Sequence, residues 1–414
     1  AVCLGSDAPP AGAFDAAVVS PGVPAGAPAL RALQARGVPL VSELELGWSR
    51  ARSRVLAISG SNGKSTLAKL CAEALALAGC RPALAGNYGP PACAAVLEDR
   101  AGARPPAGWL VLEASSFQLE TVSAFRPDVG VLLNVTPNHL DRHGDFDTYR
   151  RMKARLFAAM APGDTAIVGA PDLAAIRALA GSPARWQSAG AEPGADFWYR
   201  AGRVMNRQGL APVPLAGTRF DNPVLGLTAA AAAAALAACG VDGRFLAEAA
   251  RRFEPLPHRL QEIGEAGGIR WVDDSKATNL AALMAALSLA RAPVRLIAGG
   301  RAKGESYEPA RGLLSQKVAA AYLIGESAGL MAEAWRGATR CVLSGALEQA
   351  VAEAAREARS GETILLSPAC ASFDQYPGYA ERGAAFARAA QKILDTMSAN
   401  SDSPSADFMA RKNV

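Results

Sequence analysis

The chain has 414 residues, half of them hydrophobic and a fifth charged, which supplies enough apolar content for sizeable cores and excludes a disordered chain. At roughly 150 residues per domain, two to three domains are predicted. Lys plus Arg number 43 against 38 Asp plus Glu, a formal net charge of +5 spread along the sequence; a nucleic-acid binder would cluster that excess, so no nucleic-acid partner is expected. The seven cysteines form no C-x-x-C pair, which argues against a disulfide framework or a thiolate zinc site and fits a reducing, cytoplasmic setting. No signal-type segment opens the chain, and the small-apolar run Ala229 to Ala238 is too short to span a bilayer, so no membrane partner is expected.

Apolar runs of strand length alternate with helix-period segments, the pattern of an α/β chain with parallel sheets. The first predicted strand is Asp15 to Ser20, followed by a turn at Pro21 to Pro24 and a helix from Ala27 to Arg36 ended by Gly37. A second block opens with the strand Arg54 to Ser59, a Gly-rich turn and a helix to Leu77, then strands at Trp109 to Leu112 and Val129 to Leu133. An alanine-rich helix around Thr228 to Cys239 and a helix from Arg244 to Phe253 lead into a linker at Glu254 to Pro257, where a domain boundary is placed. The last block alternates again: strands at Ile269 to Val272, Val294 to Ile297, Ala319 to Ile324 and Thr363 to Leu366, with helices from Thr278 and Ala346. The Ser- and Asp-rich tail after Met397 is expected to fray.

The chemistry-bearing segments all leave the carboxyl ends of these strands, the edge at which α/β sheets bind ligands. Gly60-Ser-Asn-Gly63-Lys64-Ser65-Thr66 joins a strand to a helix, where backbone N–H groups and the helix dipole converge on an anion. The glycines let the backbone wrap phosphates, Lys64 supplies a cation, and a Ser65 or Thr66 hydroxyl reaches a magnesium ion. Glu113 follows the strand Trp109 to Leu112 as a carboxylate suited to magnesium. Asn134-Val-Thr-Pro-Asn-His139-Leu-Asp-Arg-His143 holds two of the three histidines, and the third is His258, followed by Arg259; confined to two such segments, they favour a site. Lys153, from composition alone, reads as a solvated helix charge. Asp273-Asp274-Ser-Lys276 opens a helix, where the carboxylates serve as caps or the segment binds an anion. Gly299 to Gly304 and Ser367 to Asp374 complete the series.

Taken in order, Gly60 to Thr66, Glu113-Ala-Ser-Ser-Phe-Gln-Leu-Glu120, Asn134 to Arg142, His258-Arg259, Asp274-Ser-Lys-Ala-Thr-Asn279 and Leu366-Ser-Pro-Ala-Cys-Ala-Ser372 resemble the motifs of the Mur ligases of peptidoglycan synthesis, in their D-glutamate-adding branch. The resemblance runs from about Asp15 to about Ala390. It implies three α/β domains: a partial N-terminal Rossmann-like domain for the UDP substrate over 1–47, a central P-loop ATPase domain with a mostly parallel sheet over 48–254, and a C-terminal Rossmann-like domain for the amino acid over 255–397, with a flexible tail over 398–414. It further implies a monomer acting on UDP-N-acetylmuramoyl-L-alanine, D-glutamate and ATP with Mg²⁺, through an acyl phosphate.

The resemblance also implies roles. Gly60, Ser61, Asn62, Gly63, Lys64, Ser65 and Thr66 would cradle ATP, joined by Asn87, Arg259, Asp274 and Lys276. Ser65, Glu113, His139 and a carbamylated Lys153 would hold magnesium, and Lys64, Glu113, His139 and Lys153 would be catalytic. Gly22, Ser115, Gln118, Thr278, Lys303, Ser372, Phe373 and Tyr379 would bind the acceptor or D-glutamate. Two departures stand out. The N-terminal domain is about half the family's size, so either the chain is part of a longer one or it binds its nucleotide-sugar otherwise. Leu225 also falls where the family has an adenine-contacting Asn, so adenine recognition is expected to be rearranged. An L-glutamate-adding or folylpolyglutamate-type ligase, or an inactive ATP-binding scaffold, are the alternatives.

Overall fold

The computed structural model describes residues 6–24, 26–102 and 107–401. Its strands are β1 Ala17–Val19, β2 Leu40–Ser42, β3 Arg54–Ser59, β4 Pro82–Gly86, β5 Trp109–Glu113, β6 Val129–Leu132, β7 Thr165–Gly169, β8 Arg185–Gly190, β9 Phe197–Arg200, β10 Arg203–Asn206, β11 Val213–Pro214, β12 Gln261–Ala266, β13 Ile269–Asp273, β14 Val294–Gly299, β15 Val318–Ile324, β16 Arg340–Gly345 and β17 Thr363–Leu366. The described chain divides into two compact units: residues up to 137 together with 142–253, and 138–141 together with the residues from 254 onward.

The first unit carries a nine-stranded sheet in the order β11-β10-β9-β8-β7-β6-β3-β5-β4, parallel from β4 to β9. Its central strands are continuous apolar runs buried on both faces, as parallel strands covered by helices must be; β3, apart from Arg54, and all of β5 are buried. Because β5 and β6 flank β3, the chain leaves β3 at a topological switch point, where the adjoining loops splay apart. The alanine-rich helix Pro223–Ala238 is a core element: its alanines from 229 to 235 are all buried. Small side chains let it lie close to the sheet, and a Cβ at Gly226 would meet the Tyr199 ring at 2.3 Å.

In the same unit β1 and β2 form a separate parallel pair joined through the helix Pro28–Ala35. Ser42 then caps the helix Glu43–Arg50 by accepting from the Glu45 N–H at 3.0 Å. The buried Glu45 carboxylate in turn accepts from Ser123 N–H at 2.8 Å and Ser123 Oγ at 3.1 Å, which ties this opening segment to the loop before β6.

The second unit has a six-stranded sheet in the order β12-β13-β17-β14-β15-β16, parallel except for the antiparallel edge β12. Neighbouring β13, β17 and β14 bring their exit loops side by side. The hairpin of β9, β10 and β11 and the edge strand β12 have no counterpart in the sequence reading. The carboxylates of Asp273 and Asp274 do not cap a helix as their position suggested: the helix starts later, at Leu280, capped by Asn279 accepting from the Ala282 N–H at 2.9 Å. The helix Tyr379–Ser401 continues past Met397, and the remainder of the expected tail lies outside the described residues.

Candidate active site

In the first unit the loop after β3 turns through Gly60 (φ 156°) and Gly63 (φ 82°) into the helix Lys64–Leu77. Only a residue without Cβ tolerates Gly63's left-handed backbone here, since an added Cβ would lie 2.6 Å from Leu133 Cδ2. Lys64 Nζ folds back onto the carbonyls of Gly60 (2.9 Å) and Ser61 (3.1 Å). Asn134, at the exit of β6, fastens the loop from the other side: its Oδ1 accepts from Ser61 N–H (3.1 Å) and Asn62 N–H (3.0 Å), and its Nδ2 donates to Asn62 O (3.2 Å). Ser61 Oγ donates to Thr136 O at 2.9 Å and lies 3.0 Å from Tyr149 Oη. Ser65 is buried in the first helical turn.

Glu113 ends β5 on the neighbouring strand and is 1% exposed. Asn87 Nδ2 donates to its Oε1 at 2.8 Å, while the buried Oε2 has no hydrogen-bond partner. An orphaned carboxylate oxygen in a dry site is costly unless a cation or donor meets it, so this residue fits a magnesium ligand. Among the described residues no group of three or more His, Cys, Asp or Glu side chains is arranged to hold a metal. Gly86, one residue before Asn87, has φ 101°, and a Cβ there would sit 2.4 Å from Glu113 O. Gly86→Ala is therefore expected to destabilise the chain by about 1–3 kcal/mol and to weaken magnesium-dependent nucleotide binding, read by calorimetric unfolding with and without MgADP; a wild-type response to MgADP would detach this turn from the site.

Lys153 is not the solvated charge that composition suggested. It lies on the helix Phe146–Ala154 at 1% exposure, with Nζ 2.9 Å from Gly60 O, 3.5 Å from Ser59 Oγ and 4.8 Å from the Tyr149 ring centroid. Burial, reinforced by the positive charge of Lys64 and opposed by Glu113, holds its amine well below the usual lysine range. Burial thus shifts the balance toward the neutral form.

Ser115 and Gln118 form a reciprocal cap on the short helix Ser116–Leu119, with Gln118 Oε1 accepting from Ser115 N–H and Oγ at 2.9 Å each. Gly22 lies in an exposed turn whose neighbours Ser20, Pro21 and Val23 line a cavity of about 320 Å³ together with Phe117, Arg142 and His143. Arg142 donates to Glu120 (2.9 and 2.6 Å) and to Val23 O (3.1 Å), fixing that turn. His143 is buried with Nε2 3.1 Å from Ser116 Oγ. His139 adopts φ 54° within the segment 138–141 that groups with the second unit. Leu225 occupies the first turn of Pro223–Ala238, where Asn222 Oδ1 accepts its N–H at 2.8 Å.

In the second unit Asp274 follows β13 and is buried; its carboxyl accepts from Ser367 Oγ at 2.9 Å and from Leu260 N–H at 3.2 Å. Burial pushes its pKa up to about 7, against those two hydrogen bonds and Arg259. Unfolded, the group titrates near 4, so between about pH 4 and pH 7 the folded chain holds the extra proton. The stability this group contributes is full below that window and is lost as pH rises through it. Asp274→Asn, isosteric with the protonated acid, is expected to flatten the fall in melting temperature across pH 4 to 7; an unchanged slope would assign it to other groups.

His258 Nδ1 lies 2.6 Å from Asp273 Oδ2. Lys276 Nζ sits 3.6 Å from the Tyr379 ring centroid, and Lys303 Nζ donates to Thr278 Oγ1 at 3.3 Å, with burial holding Lys303 below its ordinary pKa. The structure thus pairs Lys276 with Tyr379 and Lys303 with Thr278. Ser372 is buried, whereas Phe373 is 63% exposed. Sequence reasoning missed Arg382, which is buried on the helix Tyr379–Ser401 and donates to Ser275 O (3.0 Å), Ser275 Oγ (3.1 Å) and Cys370 O (3.0 Å). Burial lowers its pKa to about 10, so it stays charged at neutral pH and cross-braces the loops after β13 and β17. One arginine in an alanine-rich helix carries no signal of this.

The family model for the Mur ligase middle domain matches residues 58–239, and that for the Mur ligase glutamate ligase domain matches residues 258–370. The UDP-N-acetylmuramoylalanine--D-glutamate ligase of Acidobacterium capsulatum is 39% identical over 90% of this chain and 81% of its own length; that of Pelotomaculum thermopropionicum is 40% identical over 90% and 82%. Among solved structures, MurF from Acinetobacter baumannii superposes with a TM-score of 0.65 at 18% identity, covering 84% of this chain and 79% of that one, a likeness of fold.

Proposed function

The chain belongs to the Mur ligase family, and from that premise we propose that it joins D-glutamate to UDP-N-acetylmuramoyl-L-alanine, converting ATP to ADP and phosphate, in the cytoplasmic assembly of peptidoglycan precursors. The observation that carries this reading is the buried Glu113 carboxylate with one oxygen unpartnered, one strand away from the Gly60–Lys64 anion loop.

The acceptor's alanyl carboxylate attacks the γ-phosphorus, ADP leaves, and the amine of D-glutamate then displaces phosphate from the acyl phosphate to form the amide. Such chemistry between anions is accelerated chiefly by positioning and charge neutralisation. The first turn of Lys64–Leu77 binds the phosphates through its N–H groups and dipole, and Lys64 exchanges its loop carbonyls for the transferring phosphoryl group. Ser65, Glu113 and His139, with Lys153 as a carbamate, are the residues that would hold magnesium, which when bound offsets phosphate charge and polarises the phosphoryl oxygens. The nucleotide is further assigned Asn87, Arg259, Asp274 and Lys276; the acceptor Gly22, Ser115 and Gln118; and D-glutamate Thr278, Lys303, Ser372, Phe373 and Tyr379. Lys303 and Thr278, already paired, offer a cation and a hydroxyl to a carboxylate.

An acceptor carrying ¹⁸O in its alanyl carboxylate is expected to deliver one labelled oxygen to the released phosphate, read by mass spectrometry. Unlabelled phosphate would rule out the acyl phosphate.

A further inference from the structure

Asn134 is bonded to the anion loop as a backbone segment would be. Ser61 N–H is shared between Asn134 O (2.9 Å) and Asn134 Oδ1 (3.1 Å), extending the β3–β6 ladder by one residue beyond Leu133 N–H to Ser59 O (3.0 Å). The carboxamide then pairs with Asn62 on both sides of that residue, accepting its N–H and donating to its carbonyl. A carbonyl aimed at a phosphate would repel it, and the three loop carbonyls are each held by a donor: Gly60 O by Lys64 and Lys153, Ser61 O by Lys64, and Asn62 O by Asn134 Nδ2. When Lys64 turns to the nucleotide, Asn62 O is the one whose restraint stays in place without help from either lysine.

From this geometry, and resting on the nucleotide-binding reading of the loop, we propose that Asn134 is a positioning residue for ATP: its amide donor keeps the Asn62 carbonyl turned away from the phosphates, while its oxygen fixes the Ser61 and Asn62 amides. Asn134 does not touch the reacting atoms. Its two halves are separable, because Asn134→Asp keeps the acceptor oxygen and replaces the donor with a second oxygen facing Asn62 O, whereas Asn134→Ala removes both.

The test is MgADP binding by calorimetry, KM for each substrate, and amide hydrogen exchange at Ser61 and Asn62 in the nucleotide-free chain. Both variants are expected to weaken MgADP and raise KM for ATP by about tenfold, the order of one or two net hydrogen bonds, with KM for D-glutamate unchanged. Exchange at Asn62 is expected to quicken in Asn134→Ala and to stay slow in Asn134→Asp, while Ser61 N–H keeps the backbone carbonyl of residue 134 in both and serves as the internal reference. Should the alanine variant not fold, Asn134→Asp carries the test alone. A folded variant that binds MgADP within twofold of wild type, or loses all three substrates equally, overturns the proposal. A wild-type chain that binds no MgADP overturns the nucleotide reading itself, whatever the exchange data show.

Discussion

Lys64→Ala is expected to fold normally and to lose ligase turnover by about a thousandfold or more. The side chain emerges from the first turn of the helix Lys64–Leu77 and donates to the carbonyls of Gly60 and Ser61; the helix's buried face is built from Leu67, Leu70, Cys71, Ala74 and Leu75. Removing the ammonium therefore leaves that buried face intact and deletes the cation proposed to meet the transferring phosphoryl group. Lys64→Arg is expected to recover little, since a planar fork cannot replace a compact point charge at this turn. Phosphate release and thermal melting measured together separate loss of catalysis from loss of fold, and a variant with the wild-type rate would remove the loop from the mechanism.

The second large effect is expected at Lys153. An ammonium buried at 1% exposure beside Lys64 loses several kcal/mol of hydration, which lowers the amine's pKa and makes its neutral form more accessible. A neutral amine can add to the carbon of CO₂ and release a proton, and the resulting carbamate carries the opposite charge: its repulsion from Lys64 becomes attraction, and it gains oxygens that can serve a cation. Lys153→Ala is expected to lower turnover by about a hundredfold or more, and millimolar acetate or formate, entering the vacated space as a carboxylate, to restore part of it. Full activity without any added carboxylate would refute a role for this residue, and a loss that no carboxylate relieves would refute the carbamate.

Much of the fold was legible because parallel strands buried on both faces are written as uninterrupted apolar runs: β3 spans Arg54 to Ser59 and β17 Thr363 to Leu366, as their sequences predict. Loops at the ends of such strands could be named as site segments before any geometry was known, because a glycine or an acid directly after a buried run has few other reasons to be there. What could not be read was pairing over distance. Asn134 lies 72 residues from Asn62, Arg382 stands 107 from Ser275, and nothing in either local sequence states that the two meet. Lys153 shows the same limit: a lysine four residues from an aromatic on an amphipathic helix is usually solvated, and only the packing of Phe146–Ala154 over Gly60 reveals otherwise. The hairpin of β9 to β11 escaped because its strands are two to four residues long, shorter than an alternating pattern needs to show itself.

The most direct measurement is phosphate release from Mg-ATP with UDP-N-acetylmuramoyl-L-alanine in three parallel reactions, containing D-glutamate, L-glutamate or no amino acid. Sustained release that requires D-glutamate is the predicted result. Release that is indifferent to the amino acid, or that follows L-glutamate instead, would contradict it.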